Sequence, residues 1–422
     1  MCYAIPGKVT DIDGKKVTVD YFGEKKTAIN EIVDLKIGDY IYAQGGYVIQ
    51  TIPAKEAIEV LETWKELFFE LRETDVNLSR RPDELGVDKK FAFIIDKASE
   101  GRELKKEELL HLLKTTNKDE LDLLYKTANF LRQKYLSNSC CVHGIIEFSS
   151  YCQNDCQYCG IKKSKAEIER YRMSEDEILA AVEEAVEKHK FKALVLQSGE
   201  DPEWPVEKVA ALIKKIKARH AVLIFASVGE VGVNGLKKLW AAGARGLLMR
   251  FETSNQALYN QLHCGDKLAT RIAELKEAYK LGFLVITGGL IGLPSQTEAM
   301  LLDDILLTKE LNAEMYTFGP VLPDGPSTDL VLKVLAVSRI VDPKNAKIVV
   351  TTGFETLDPE ARRKGLLAGA NSVMLNVTPF KYRQLYNIYP NRAHGNETIE
   401  EQIKETLELL YSLGRAPTDL GI

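Results

Sequence analysis

Cys152-Gln153-Asn154-Asp155-Cys156-Gln157-Tyr158-Cys159 is the stretch on which the reading of this chain turns. The spacing C-x3-C-x2-C places three thiols on one short loop. Thiolates are soft ligands that suit iron–sulfur clusters. A four-iron cluster held by Cys152, Cys156 and Cys159 keeps one iron without a protein ligand, and an open ligand set marks a reactive centre rather than a closed structural one. The amino and carboxylate groups of S-adenosylmethionine (SAM) can chelate that iron, and an electron passed into the sulfonium then breaks a C–S bond. A zinc knuckle or unrelated buried thiols are the competing readings. Zinc wants a fourth ligand nearby, and the closest His is His143, upstream and within or just before a strand. The apolar run Gly144–Ser149 leads straight into the loop, and Tyr158 offers a ring that can lie against adenine.

Working outward, apolar strand-like runs alternate with amphipathic helices downstream of the cysteines. Eight runs are visible: Gly144–Ser149, Ala193–Ser198, Val222–Val228, Gly246–Phe251, Phe283–Ile291, Met315–Val321, Lys347–Thr352 and Ser372–Val377. Eight βα units predict an α/β fold of the (β/α)8 TIM type, with the chemistry at the C-terminal ends of the strands. Upstream, a helix with Leu121, Leu124, Ala128, Leu131 and Tyr135 on one face leads to the motif, and the last helix ends at Gly414.

The first ~52 residues read differently, as short β-runs broken by Gly and Asp, with Asp13-Gly14 as a hairpin signal and Gly45-Gly46 as a bulge inside Tyr40–Ile52. This predicts a small N-terminal β-barrel domain. A helix follows, with Ile58, Leu61, Trp64, Leu67 and Leu71 at helical spacing. The expected division is 1–73 for the small barrel plus helix, 74–97 for a polar linker containing Pro82 and Gly86, and 98–422 for the large barrel.

The 422 residues carry a net charge of −5 with no basic block, which gives nucleic-acid binding no support. No run spans a bilayer, and the start Met1-Cys2-Tyr3-Ala4 lacks signal-peptide features. Seven cysteines, an odd number, fit a reducing cytoplasm better than a disulfide framework. Cys140, Cys141 and Cys264 read by default as small buried hydrophobes.

The strand ends supply the remaining candidates. Gln197-Ser198-Gly199-Glu200-Asp201 offers acceptors for a cationic amino group, or simply a capped turn. Ser227 offers a hydroxyl. Arg250 and Glu252 lie two apart on a strand and share a face, so they pair or hold a polar ligand. Arg271 can clamp a carboxylate. Gly288 to Pro294 is glycine-rich but lacks the order of a dinucleotide fingerprint. Thr351, Thr352, Met374, Tyr382 and Tyr386 close the list, as binders of a small polar substrate or as loop packing.

From about Leu104 onward the chain resembles the HydE family of radical-SAM maturases of [FeFe]-hydrogenase, itself close to biotin synthase. The carrying segments are Ile145-Ile146-Glu147-Phe148-Ser149, Arg170-Tyr171-Arg172-Met173, Leu196 to Asp201, Gly292-Leu293-Pro294 and Tyr382 to Tyr386. The resemblance implies a radical-SAM barrel with a [4Fe-4S] cluster on Cys152, Cys156 and Cys159. It implies cofactor contacts from Tyr158, Glu200, Ser227, Glu252 and Arg271, with Gln197 alongside. Substrate contacts would come from Arg250, Thr351, Thr352, Met374, Tyr382 and Tyr386, with Arg250, Thr352 and Tyr382 nearest the chemistry. The implied substrate is a small sulfur-containing iron–cysteine complex, and the electron comes from an external one-electron donor. Phe251 stands where that family usually has His, a departure that would mean a different substrate. Met1-Cys2-Tyr3-Ala4-Ile5-Pro6-Gly7-Lys8-Val9 resembles the start of the HypC chaperones of hydrogenase assembly, implying iron at Cys2 and maturation proteins as partners. Gln44 replaces the usual His there, and a carboxamide is a poor iron ligand. The alternatives are an amino-acid mutase of the methylornithine-synthase type and a non-catalytic assembly scaffold.

Overall fold

Alternation of apolar and polar residues drives the first five strands into a closed barrel. These are β1 (Gly7–Asp13), β2 (Lys16–Tyr21), β3 (Glu24–Ile29), β4 (Tyr40–Gln44) and β5 (Tyr47–Ile52), in the order β1-β2-β3-β5-β4. The computed structural model describes residues 3–31, 34–80, 86–263 and 267–421. Gly45 and Gly46 are a two-residue hairpin turn rather than a bulge: both have positive φ (54° and 81°), which suits the twist of a tight hairpin. Val9, Val17, Val19, Ile41 and Ala43 point inward as the barrel's core.

Helix α1 (Ala54–Leu78) closes this barrel with Trp64, Phe68 and Leu71, whereas Ile58, assigned to the same face, is exposed. The segment 74–97 is helical at both ends. α1 runs on through Leu78 because Asp75 is buried against Arg132, and the polar Asp88 accepts from the Lys90 and Phe91 amides to cap α2 (Lys89–Ser99). Pro82 lies outside the described residues.

The eight strands of the large barrel occur where the apolar runs stand. They are β6 (Ser139–Ser149), β7 (Ala193–Ser198), β8 (Leu223–Ser227), β9 (Gly246–Leu248) and β10 (Leu284–Thr287), followed, after the short β11 (Leu290–Ile291), by β12 (Met315–Tyr316). Beyond β13 (Gly319–Pro320), which pairs with β11, come β14 (Lys347–Ile348) and β15 (Ser372–Asn376). The parallel order is β14-β12-β10-β9-β8-β7-β6-β15, and the Val349–Ser372 bridge joins the two ends into a (β/α)8 barrel. β16 (Ala416–Pro417) adds to the start of β6. β6 begins five residues earlier than the sequence pattern suggested. Along it Cys141, His143, Ile145 and Glu147 face the barrel interior, while Cys140, Val142, Ile146 and Phe148 join the core under the helices.

The small barrel seats on the N-terminal ends of these strands. A Cβ on Gly45 would lie 2.8 Å from side-chain atoms of both Leu223 and Leu284, so only glycine lets the turn approach so closely. Tyr47 donates to the Gly282 carbonyl (3.0 Å), and Arg245 pairs with Glu31 (2.7 Å). Among the described residues no helix is long and apolar enough to cross a membrane.

Candidate active site

Short loops leaving the C-terminal ends of β6 and β7 fix the cysteine loop through backbone contacts. Gln153 N–H donates to the Glu200 carbonyl (2.9 Å) and Gly199 N–H to that of Ser149 (3.1 Å). A Cβ at Gly199 would fall 2.2 Å from the Tyr151 carbonyl oxygen, so the approach requires glycine. Arg170 gathers the carbonyls of Ser150 (2.6 Å), Ile161 (3.0 Å) and Lys162 (2.6 Å), and Arg172 pairs with Asp201 (2.7 Å) while lying 3.5 Å over the Tyr151 ring. These residues position the loop rather than the chemistry.

The loop opens on a cavity of about 320 Å³ inside the barrel mouth. It brings together Cys152, Cys156, Cys159, Tyr158, Gln197, Glu200, Ser227, Arg250, Glu252, Arg271, Thr351, Thr352, Met374 and Tyr386. Tyr382 is a correction. Its helical turn (Phe380–Arg383) aims the ring away, so that it stacks on Tyr171 (4.7 Å between centroids) and its hydroxyl donates to Glu177 (2.7 Å). Phe251 is fully buried among outer core side chains and does not line the cavity, because strand alternation turns it away from the face that Arg250 and Glu252 share. Cys2 and Cys264 lie outside the described residues, whereas Gln44 is buried with its amide nitrogen 3.5 Å from the Tyr3 carbonyl.

Charge is concentrated at the end of β9. Glu252 has a left-handed backbone (φ 67°), a conformation that costs a non-glycine residue strain of about 1–3 kcal/mol and clusters at functional sites. Its Oε2 lies 3.1 Å from the Arg250 guanidinium but off hydrogen-bond angle. Burial pushes the Glu252 carboxyl above its ordinary range, with Arg250 and Arg271 opposing. Arg271 donates to Glu230 (2.8 Å) and to the Arg250 carbonyl (2.8 Å), and lies 4.0 Å from Glu200. The wall thus carries carboxylates beside the cysteines and a guanidinium beyond them.

Three residues at or behind the cavity wall carried no signal by spacing: Arg392 and His263 line it, and Glu147 stands behind Arg392. Glu147 at the end of β6 pairs with Arg392 (2.9 Å) and accepts from Asn376 (3.0 Å). The inward phase of β6 could have revealed Glu147, but Arg392 comes from an irregular segment. The third, His263, stacks on Tyr259 (4.8 Å), and burial, then Arg271, pulls its imidazole down to about 4. The folded ring stays neutral where an unfolded one is protonated, so stability falls as pH drops from about 6.5 towards about 4. His263→Phe should flatten the stability–pH curve of urea melts in that window, by up to on the order of 3 kcal/mol.

Three thiols at the mouth of a (β/α)8 barrel, with no fourth cysteine among the described residues of the cavity wall, define a radical SAM enzyme. Known proteins agree. The Radical SAM superfamily matches residues 146–307, and the HupF/HypC family matches residues 1–64. The [FeFe] hydrogenase maturase subunit HydE of Thermotoga maritima is 35% identical over 327 residues, covering 75% of this chain and 93% of its own. 3-Methylornithine synthase of Methanosarcina acetivorans is 28% identical over 333 residues, covering 76% and 93%. The crystal structure of methylornithine synthase (PylB) superposes with a TM-score of 0.67 at 26% identity, over 77% of this chain and 97% of that one. The chain belongs to the radical SAM superfamily, in the HydE and biotin synthase-like group of enzymes, with a HypC-like barrel at its N-terminal end.

That family implies an iron–sulfur cluster and SAM, and the residues present fit both. Backbone amides are aimed at sulfur, as in Asn154 N–H to Cys152 Sγ (3.5 Å), which suits a thiolate held in a cluster. Burial pushes the thiols of Cys156 and Cys159 up to about 12 and about 11, so at neutral pH iron would displace protons from both.

Proposed function

We propose that the chain modifies a small sulfur-containing iron–cysteine or related organometallic precursor during assembly of a hydrogenase or similar metallocofactor. The supporting observation is one cavity whose wall passes from the cysteines to Arg250, Thr351, Thr352, Met374 and Tyr386. Cys152, Cys156 and Cys159 would hold a [4Fe-4S] cluster. Tyr158, Gln197, Glu200, Ser227, Glu252 and Arg271 would surround SAM. Together these cofactors supply a 5′-deoxyadenosyl radical when reduced by an external one-electron donor.

The chain's own residues bind and orient. Glu200 and Glu252 provide acceptors for an ammonium group, and Arg271, anchored through Nε on Glu230 and Nη1 on the Arg250 carbonyl, keeps Nη2 for a carboxylate. Arg250 offers a guanidinium to an anionic substrate, while Met374 supplies a polarizable apolar contact. The hydroxyl of Thr351 accepts from Phe354 N–H as a helix cap, leaving its donor for substrate. The HypC-like unit would dock maturation proteins, and tethering it to the barrel raises the effective concentration for hand-over.

Anaerobic protein reconstituted with iron, sulfide, dithionite and SAM should yield 5′-deoxyadenosine, more of it with an iron–cysteine complex carrying CO and cyanide than with lysine. Deuterium exchange between labelled lysine and SAM would instead favour a mutase. Arg250→Gln should cut product formation by about 10–100-fold, the worth of a hydrogen bond to a charged group, while uncoupled 5′-deoxyadenosine persists. Chromatography of both products checks this.

A further inference from the structure

At the opposite end of the barrel a second constellation has no part in the chemistry above. Cys141 and His143 are two apart on β6 and so share its inner face, where Asp419 meets them from beyond β16. One ligand atom from each lies within 4.8 Å of the others, and all three residues are buried. They line a small cavity with room for about one ion or water (about 10 Å³), beneath the Gly45 turn of the small barrel. Along β6 they lie roughly 20–27 Å from Ser149, where the cysteine loop departs.

We propose that Cys141, His143 and Asp419 bind one divalent d-block cation of borderline softness, Fe²⁺ or Zn²⁺, separately from the cluster. His143 Nε2 lies 3.2 Å from Asp419 Oδ2, and the ring stacks on Phe225 (5.1 Å). Its Nδ1 is buried without a hydrogen-bond partner among the described residues. A structural His–Asp pair alone strands that nitrogen at a cost of about 1–3 kcal/mol. An imidazole lone pair given to a metal removes the cost, with the carboxylate as fellow ligand or as partner of the other ring nitrogen. Charge agrees: a thiolate and a carboxylate balance a divalent ion, while the other charged pair at the cavity, Glu314 and Lys347, neutralises itself. Sulfur, nitrogen and oxygen together suit zinc or ferrous iron better than the oxygen-seeking magnesium or calcium. Binding releases the Cys141 proton to solvent.

Cobalt(II) is the probe, used on the full-length chain carrying Cys2→Ser, Cys152→Ser, Cys156→Ser and Cys159→Ser so that the cluster thiols are silent. One equivalent should bind with a thiolate-to-cobalt charge-transfer band and intense tetrahedral visible bands. Adding Cys141→Ser should abolish the charge-transfer band, and His143→Asn should weaken binding at least about tenfold. Metal-free circular dichroism checks folding. Should His143→Asn unfold, X-ray absorption of cobalt in the parent variant decides, with one sulfur and nitrogen or oxygen neighbours expected. No bound cobalt, a sulfur-free shell, or a charge-transfer band that survives Cys141→Ser overturns the site. Failure here leaves SAM cleavage untouched, because the two sites share no residue.

Discussion

Replacing Cys156 by Ala is expected to lower 5′-deoxyadenosine formation more than about a hundredfold, since even outer partners of metal ligands typically cost 10–100-fold. Cys156 is the most buried of the three cluster thiols, and its neighbours are Cys159 and Tyr158. A cluster left with two protein ligands loses both its seat and the single open iron that makes it reactive. The brown chromophore and iron content of the reconstituted protein should fall with the product. Cys140→Ala serves as the control: its side chain faces away from the barrel interior, so iron loading and product should stay near the parent values.

The second large effect concerns how the two units are joined. Asp75, near the end of α1, accepts two bonds of 2.7 Å from Arg132 and lies 3.3 Å from Arg415 Nε. All three side chains are almost fully buried. Arg132 also donates to Ser79 (2.8 Å), Asn129 (2.7 Å) and the Ser137 carbonyl (2.7 Å), so its charge is well solvated by protein as long as Asp75 remains. Asp75→Ala strands two buried guanidinium groups and should destabilise the chain by about 3–5 kcal/mol. Differential scanning calorimetry should show a fall in melting temperature of several degrees. Asp75→Asn, which keeps an acceptor but not the charge, should fall between. Gly414 is part of the same latch, since a Cβ there would lie 2.3 Å from the Asp75 amide nitrogen.

The barrel was legible because its strands are continuous apolar runs, and the cysteine spacing named the chemistry before any geometry was known. Most of the cavity wall followed from strand ends. What escaped had physical reasons. Tyr382 and Tyr386 are four apart on a short turn, and only the turn's orientation decides that Tyr386 faces the cavity while Tyr382 packs on Tyr171. Arg392 lies on an irregular segment with no periodicity to read. Cys141 and His143 escaped because β6 begins earlier than its densest apolar stretch, so their common inward phase was hidden. Asp419 joins them from the far end of the chain, a juxtaposition no local pattern encodes.

The central claim is that three cysteines leave one iron open and that SAM occupies it. Electron–nuclear double resonance on the reduced, reconstituted protein with isotope-labelled SAM addresses this directly. Hyperfine coupling from the labelled amino nitrogen and carboxylate carbon to the cluster is the predicted result, absent in Cys156→Ala. A reduced four-iron signal that SAM leaves unchanged, with no coupling to either label, would contradict the account.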